Sequence, residues 1–217
     1  DFDCGRNQLT TLEGSPNSVG GYFYCQNNQL TSLEGSPSSV SGNFDCSNNQ
    51  LKTLEGGPNS VGGHFNCQNN QLKTMEGCPS SIGGDFYCYD NQLTSLEGSP
   101  RSVGGYFSCH SNQLTTLEGG PSSIGGYFNC QNNQITDFRG FIEFFDGEVY
   151  FDGNPVQELL ELFPKEKESE AIYWFNEIDV INGRSVGLER LIEVFHQINV
   201  EVKSDIEDIK FKNYEVI

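Results

Sequence analysis

The chain has 217 residues, 25 of them glycine, and a formal net charge of −18 from 12 basic and 30 acidic side chains. No stretch approaches the ~18 consecutive apolar residues of a membrane helix, and a basic, Ser-rich or apolar leader is not expected. The acidity disfavours direct binding of nucleic acid phosphates, which need Lys and Arg, and favours basic or neutral partners. The first residue is Asp1 rather than methionine, so a missing N-terminal piece is expected.

From the first residues onward the chain repeats. Cys4, Cys25, Cys46, Cys67, Cys88, Cys109 and Cys130 recur every 21 residues, and only Cys78 falls off the register. Zinc ligands come in short pairs such as C-x-x-C, and this spacing offers none. Alignment on the cysteines gives F-x-C-x-x-N-x-L-x-x-L-E-G-x-P-x-x-V-G-G-x. The Phe column runs from Phe2 to Phe128, the Asn column from Asn7 to Asn133, and the two Leu columns from Leu9 to Ile135 and from Leu12 to Phe138. A decayed eighth copy carries Val149, Phe151, Asn154 and Val156 at the same offsets.

A period of this length is the signature of stacked repeats, because one copy cannot bury its own apolar face. Phe and Cys two residues apart point to the same side of a short strand. Stacking the copies makes a parallel sheet at about 4.8 Å per rung. The cysteine column then acts as a ladder of small hydrophobes. Parallel Cβ vectors at strand spacing stand beyond the ~3.8 Å that a disulfide prefers. Reduced, buried thiols and a reducing compartment are therefore expected.

F-x-C-x-x-N-x-L matches the L-x-L-x-x-N-x-L core of leucine-rich repeats, with Phe and Cys in two Leu slots. The short repeat with its G-x-P resembles the bacterial effector type, and most of all the repeat proteins of large tailed bacteriophages. The departure is E-G-x-P where the effector type carries L-P. The resemblance covers roughly residues 1–156, and the repeat domain of seven copies and the decayed eighth is read as residues 1–154. It implies a β-rich solenoid with a parallel sheet on a concave face, and asparagines that bond the backbones of adjacent turns. The Gly, Pro and Ser on the back of so short a repeat leave no room for a helix. Extended or short 3₁₀ segments are predicted there.

Residues 155–217 read as a small helical cap or domain. Pro155 opens a helix with Val156, Leu159, Leu160 and Phe163 on one side, and Pro164 ends it. Ala171 to Ile178 is a second helix, with Asn182-Gly183 as stop or turn. Leu188, Leu191, Ile192, Phe195 and Ile198 recur at helical spacing. Asn199 to Lys203 alternates like a strand, and Ser204-x-x-Glu207 has the form of a capping box. A solenoid end exposes apolar groups and an unpaired edge, so a cap is the leading reading of this unit. A separate partner-binding domain is the alternative. This segment is the more acidic part: residues 141–217 hold 18 acids and 7 bases, a net of −11.

Strand alternation sends three freely varying columns to the concave face: the residues before Phe, between Phe and Cys, and after Cys. The candidate partner-binding residues lie in them: Tyr22, Tyr24, Asp45, His64, Asn66, Tyr87, Tyr89, Tyr106, Ser108, His110, Tyr127 and Tyr150. Tyr87, Tyr89, Tyr106 and His110 are the expected centre, since Tyr and His join contact area to a polar tip. Aromatic residues also simply suit strands. The glutamate column from Glu13 to Glu118 could bind cations or imitate a phosphate row. Capped or solvated carboxylates are the simpler reading.

No H-E-x-x-H, G-x-S-x-G or phosphate loop is present. Some bacterial leucine-rich-repeat effectors carry a catalytic cysteine in a C-terminal ligase domain, but no cysteine follows Cys130 here. The expected function is a non-enzymatic protein–protein interaction module, without metal or cofactor, in the cytoplasm. The phage resemblance implies a host protein as partner and inhibition of a host defence or other host protein as the purpose. Neither nucleic acid nor membrane is expected as a direct partner, and the oligomeric state stays open. Two further classes stand beside this one: an acidic nucleic-acid mimic blocking a DNA-binding enzyme, and a structural virion component.

Overall fold

The computed structural model describes residues 1–142, 145 and 147–217. It is a parallel β-solenoid with a small, mainly helical C-terminal unit. Each turn gives a two-residue strand to an eight-stranded sheet that begins at Phe2–Asp3 and ends at Val149–Tyr150. Neighbours pair in parallel with a shift of one repeat, Phe23 on Phe44 and Phe86 on Phe107. Equivalent side chains therefore stack in columns, and the phenylalanines form a buried file with ring centroids 5.3 Å apart at Phe2–Phe23 and 5.5 Å at Phe107–Phe128.

The asparagine column bonds adjacent turns as the resemblance implied. The buried Asn91 amide donates to the carbonyls of Cys67 and Cys88, each at 3.1 Å, and its Oδ1 accepts the Leu72 N–H at 3.0 Å. The same set recurs from Asn28 to Asn133, and Asn154 continues it into the eighth turn. These bonds satisfy backbone groups of a turn that no sheet ladder reaches, and unpaired they would be costly to bury. The residue before each asparagine has left-handed backbone, from Arg6 (φ 56°) through Asn27, Asn48, Asn69, Asp90, Ser111 and Asn132 to Gly153. Asn and Asp dominate there because they tolerate that region better than other side chains.

The glycine after each column glutamate serves a second corner. Leu12 carbonyl accepts the Ser15 N–H at 3.0 Å across Glu13-Gly14, and Gly14 has φ +88°. Positive φ at the third residue of such a turn is the reason for glycine. At Gly77 an added Cβ would also lie 2.3 Å from the Leu54 carbonyl carbon of the turn below.

The back of the repeat is extended, as predicted, but it does more than run across the surface. Ser18–Val19 to Ser123–Ile124 pair into a second parallel sheet of six strands. Val19, Val40, Val61, Ile82 and Val103 face the core from it. Two-residue strands have no visible alternation, so period alone hid this sheet.

The core continues without a break into the C-terminal unit. Helix α1 (Gln157–Leu160) is a single turn; α2 spans Glu168–Glu177 and α3 spans Leu188–Gln197. Phe138 of the seventh turn packs on Phe175 of α2 at 5.2 Å, and Phe163 on Phe195 of α3 at 4.4 Å. Tyr214 hydroxyl donates to the Thr136 carbonyl at 2.6 Å, and Asn176 to that of Phe138 at 3.0 Å. The unit thus covers the end of the stack.

Two local expectations differ. Asn199 to Lys203 is not a strand: Asn199 (φ 59°) closes α3, and the Val200 N–H bonds back to the Phe195 carbonyl at 2.9 Å. This is the left-handed helix stop with paired return bonds. Helix α2 ends the same way at Asp179, and Asn182-Gly183, read as a stop or turn, falls at the turn of the hairpin of Ile181–Asn182 and Ser185–Val186. Ser204-x-x-Glu207 makes no capping box; a 3₁₀ turn at Ile206–Asp208 starts from Asp205 without a side-chain cap.

Two predictions follow from the buried columns. Asn91→Ala leaves several buried backbone groups unpaired and should lower unfolding free energy by about 3 kcal/mol or more. Exposed Gln92→Ala should change it by less than ~0.5 kcal/mol; urea titration compares the two. The thiols at Cys25, Cys46, Cys67, Cys88, Cys109 and Cys130 are pushed up by burial. A raised folded pKa stabilises below the unfolded value and loses that contribution as pH rises past it. Stability under reducing conditions should therefore fall steeply above about pH 8.5, by about 1.4 kcal/mol per pH unit for each thiol. A flat urea midpoint between about pH 8 and 10 contradicts this.

Candidate functional site

The outward side of the eight-stranded sheet carries the three variable columns. Its residues are held by a ladder that leaves each rung little freedom. Phe23 N–H donates to the Asn43 carbonyl at 2.9 Å and Cys25 N–H to that of Asp45 at 2.8 Å, and this pattern repeats along the stack. The three columns hold six carboxylates, Asp1, Asp3, Asp45, Asp85, Glu148 and Asp152, and no Lys or Arg.

Most of the expected residues stand on this face. Tyr22, Tyr106 and Tyr127 are 45%, 42% and 42% exposed, and His64 is exposed. Tyr24, Asp45, Asn66, Tyr87, Tyr89, His110 and Tyr150 are half-buried. Asp45 and Asn66 are turned inward along their own strands, each accepting the backbone N–H two residues on. Ser108 is the exception. It is only 8% exposed, because a short side chain between flanking rungs sinks beneath them.

The tyrosines are brought together as two files rather than one patch. In the first, Tyr106 and Tyr127 stack at 4.7 Å and 10°, and Tyr127 meets Tyr150 edge-on at 6.2 Å. In the second, Tyr87 meets Tyr89 edge-on at 6.3 Å, and Tyr89 stacks on His110 at 4.3 Å and 14°. Tyr22 and Tyr24 stack separately at 5.7 Å. Stacking across rungs follows from register: equivalent positions lie one strand spacing apart.

Asp85 joins the two files and was absent from the residues expected to bind. Its carboxylate accepts the Tyr87 hydroxyl at 2.7 Å and the Tyr106 backbone N–H at 2.7 Å. Its own N–H lies 2.8 Å from His64 Nδ1, and its carboxylate 3.1 Å from the same nitrogen. Glu148 likewise accepts the Tyr150 hydroxyl. The signal was in the sequence as an acid two residues before a tyrosine, Asp85-x-Tyr87 and Glu148-x-Tyr150, which alternation puts on one face.

The chemistry of these groups is that of neutral donors. Burial and the Asp85 bond push the Tyr87 phenol up, the Glu148 bond does so for Tyr150, and burial with the Asp90 charge for Tyr89. Burial pushes His110 down, against an opposing pull from Asp90. Tyr hydroxyls and a neutral imidazole are thus presented beside carboxylates. Among the described residues, no group of three or more His, Cys, Asp or Glu converges as a metal site, and no helix is long and apolar enough to cross a membrane.

The glutamate column is a separate surface. Glu13, Glu34, Glu55, Glu76, Glu97 and Glu118 are all exposed. Burial of the cysteines separates them from this chemistry altogether, since every one of the seven in register packs into or against the core.

No protein-family model matches the sequence, and no curated protein matches it.

Proposed function

We propose that this chain is a non-enzymatic interaction module that grips a protein partner with the outward face of its eight-stranded sheet. The observation that carries the reading is the pair of aromatic files on a rigid sheet, Tyr106–Tyr127–Tyr150 and Tyr87–Tyr89–His110. Aromatic side chains with polar tips give large contact area at low conformational cost, and they dominate binding energy where they are held in place. Here Asp85 and Glu148 hold the hydroxyls, and stacking holds the rings.

The finer assignments are part of the same proposal. The asparagine ladder, which the leucine-rich-repeat resemblance implies, supports kinship with that class. The buried, unpaired thiols support a reducing, cytoplasmic setting. The resemblance to phage repeat proteins supports a host protein as the target and its inhibition as the purpose. The second reading, an acidic mimic of nucleic acid, draws on the six exposed glutamates of one column.

The test is affinity capture from bacterial lysate by the wild-type chain and by Tyr89→Ala/Tyr106→Ala/Tyr127→Ala, at low salt and at about 0.5 M salt, where exposed charge attraction is largely screened. A protein retained at high salt by the wild type and weakened at least about tenfold by the triple substitution is the expected result. Equal retention by both proteins contradicts the tyrosine face. Retention of many DNA-binding proteins at low salt only, unaffected by the triple substitution, moves the assignment to the mimic.

A further inference from the structure

We propose that the groove between the last solenoid turn and the C-terminal unit seats a lysine- or arginine-bearing extended segment of the protein partner. This deepens the interaction reading above and rests on it. The groove has a volume of about 1030 Å³, the upper range of ligand clefts and enough for several side chains. One wall is Phe145 with Glu148 and Val149 of the final rung. The other runs from Lys165, just before α2, to Trp174 within it.

Charge and aromatic character agree on the occupant. Among the described residues, four glutamates line the groove, Glu148, Glu166, Glu168 and Glu170, against one cation, Lys165. Glu168 is already matched, by Lys165 at 2.7 Å, and Glu170 is paired outward with Lys167 at 2.8 Å. Glu148 and Glu166 are exposed at the groove, and among the described residues Glu148 accepts a neutral hydroxyl and pairs with no cation. Glu148 and Glu166 share the groove lining with Trp174 and Phe145, a combination of carboxylates and aromatic rings that favours a guanidinium or ammonium.

Lys165 shows this chemistry from within the chain. Its Nζ stands 5.6 Å from the centre of the Tyr150 ring, 3.2 Å from the Val149 carbonyl and 2.7 Å from Glu168. A cation is thus held by an aromatic face, a carbonyl and a carboxylate at the mouth of the groove. Tyr150 is also the last ring of the file through Tyr106 and Tyr127. Tyr150 donates to Glu148 and lies under Lys165, both in the groove lining, so the file ends beside the groove.

Trp174 is the only tryptophan of the chain and reports on the site directly. The probe is an acetylated, amidated hexapeptide of alternating arginine and glycine, with an alternating glutamate and glycine peptide as control. The expected result is a saturable change in Trp174 emission with the arginine peptide alone. Glu148→Gln/Glu166→Gln should weaken it at least about fivefold. Glu34→Gln/Glu55→Gln removes the same charge from the distant glutamate column and should leave it within about twofold. Equal weakening by both pairs would reduce the effect to the overall charge and overturn the proposal. So would binding that leaves Trp174 emission unchanged, or no binding. The glutamine variants keep size and hydrogen-bonding capacity, and unchanged circular dichroism excludes misfolding. Because no native partner is needed, failure here is distinguishable from failure of the tyrosine face.

Discussion

Each turn of this solenoid contains backbone that turns a corner inside the stack, where no strand partner can reach it, and one asparagine amide per turn supplies what is missing. The amide joins its own turn to the one before, with two donors and an acceptor used at once. The phenylalanine file, the cysteine ladder and both sheets presuppose the spacing that these bonds fix. Apolar stacking alone would hold the turns together without specifying how one sits on the next. The asparagines specify it, because a slip of one residue would leave every amide and its three backbone partners buried and unmatched.

That fixed register has a second effect on the outer face. Since each residue stands directly over its counterpart, a tyrosine placed in one turn meets whatever the next turn carries in the same column. Tyr106 over Tyr127 and Tyr89 beside His110 are consequences of that arithmetic. Asp85 shows the complementary device, a carboxylate that reaches a hydroxyl along its own strand and an amide on the next rung. The face is rigid because its side chains are braced by the same periodicity that braces the interior.

The solenoid was legible from the sequence because its interior is written seven times. Phe, Cys, Asn and Leu at fixed offsets leave one arrangement that buries them all. The second sheet was less legible, since Ser-Val before Gly-Gly is too short to show alternation and its pairing is settled only by the neighbouring turn. The tyrosine face could be named from alternation, but its division into two files depends on ring orientation. Ser108 was placed on the correct side, yet column assignment carries no information on how far a short side chain sinks between its neighbours. The C-terminal unit has no internal copy to compare with, so its helices were found by spacing, whereas the closure of α3 at Asn199 was read as a strand. A left-handed stop is a property of one residue and leaves no period behind.

The interchangeability of the interior columns bears on how such a protein changes over generations. A 21-residue segment can be duplicated or deleted at any point in the stack, and the newly adjacent turns still present Phe to Phe, Cys to Cys and Asn to a waiting carbonyl. Only the outer face records the event, as a lengthened or shortened file of side chains in a new order. Recombination between copies thus reshuffles the outer face while leaving the scaffold intact. On the proposed reading of that face as a binding surface, a single genetic step rearranges its specificity.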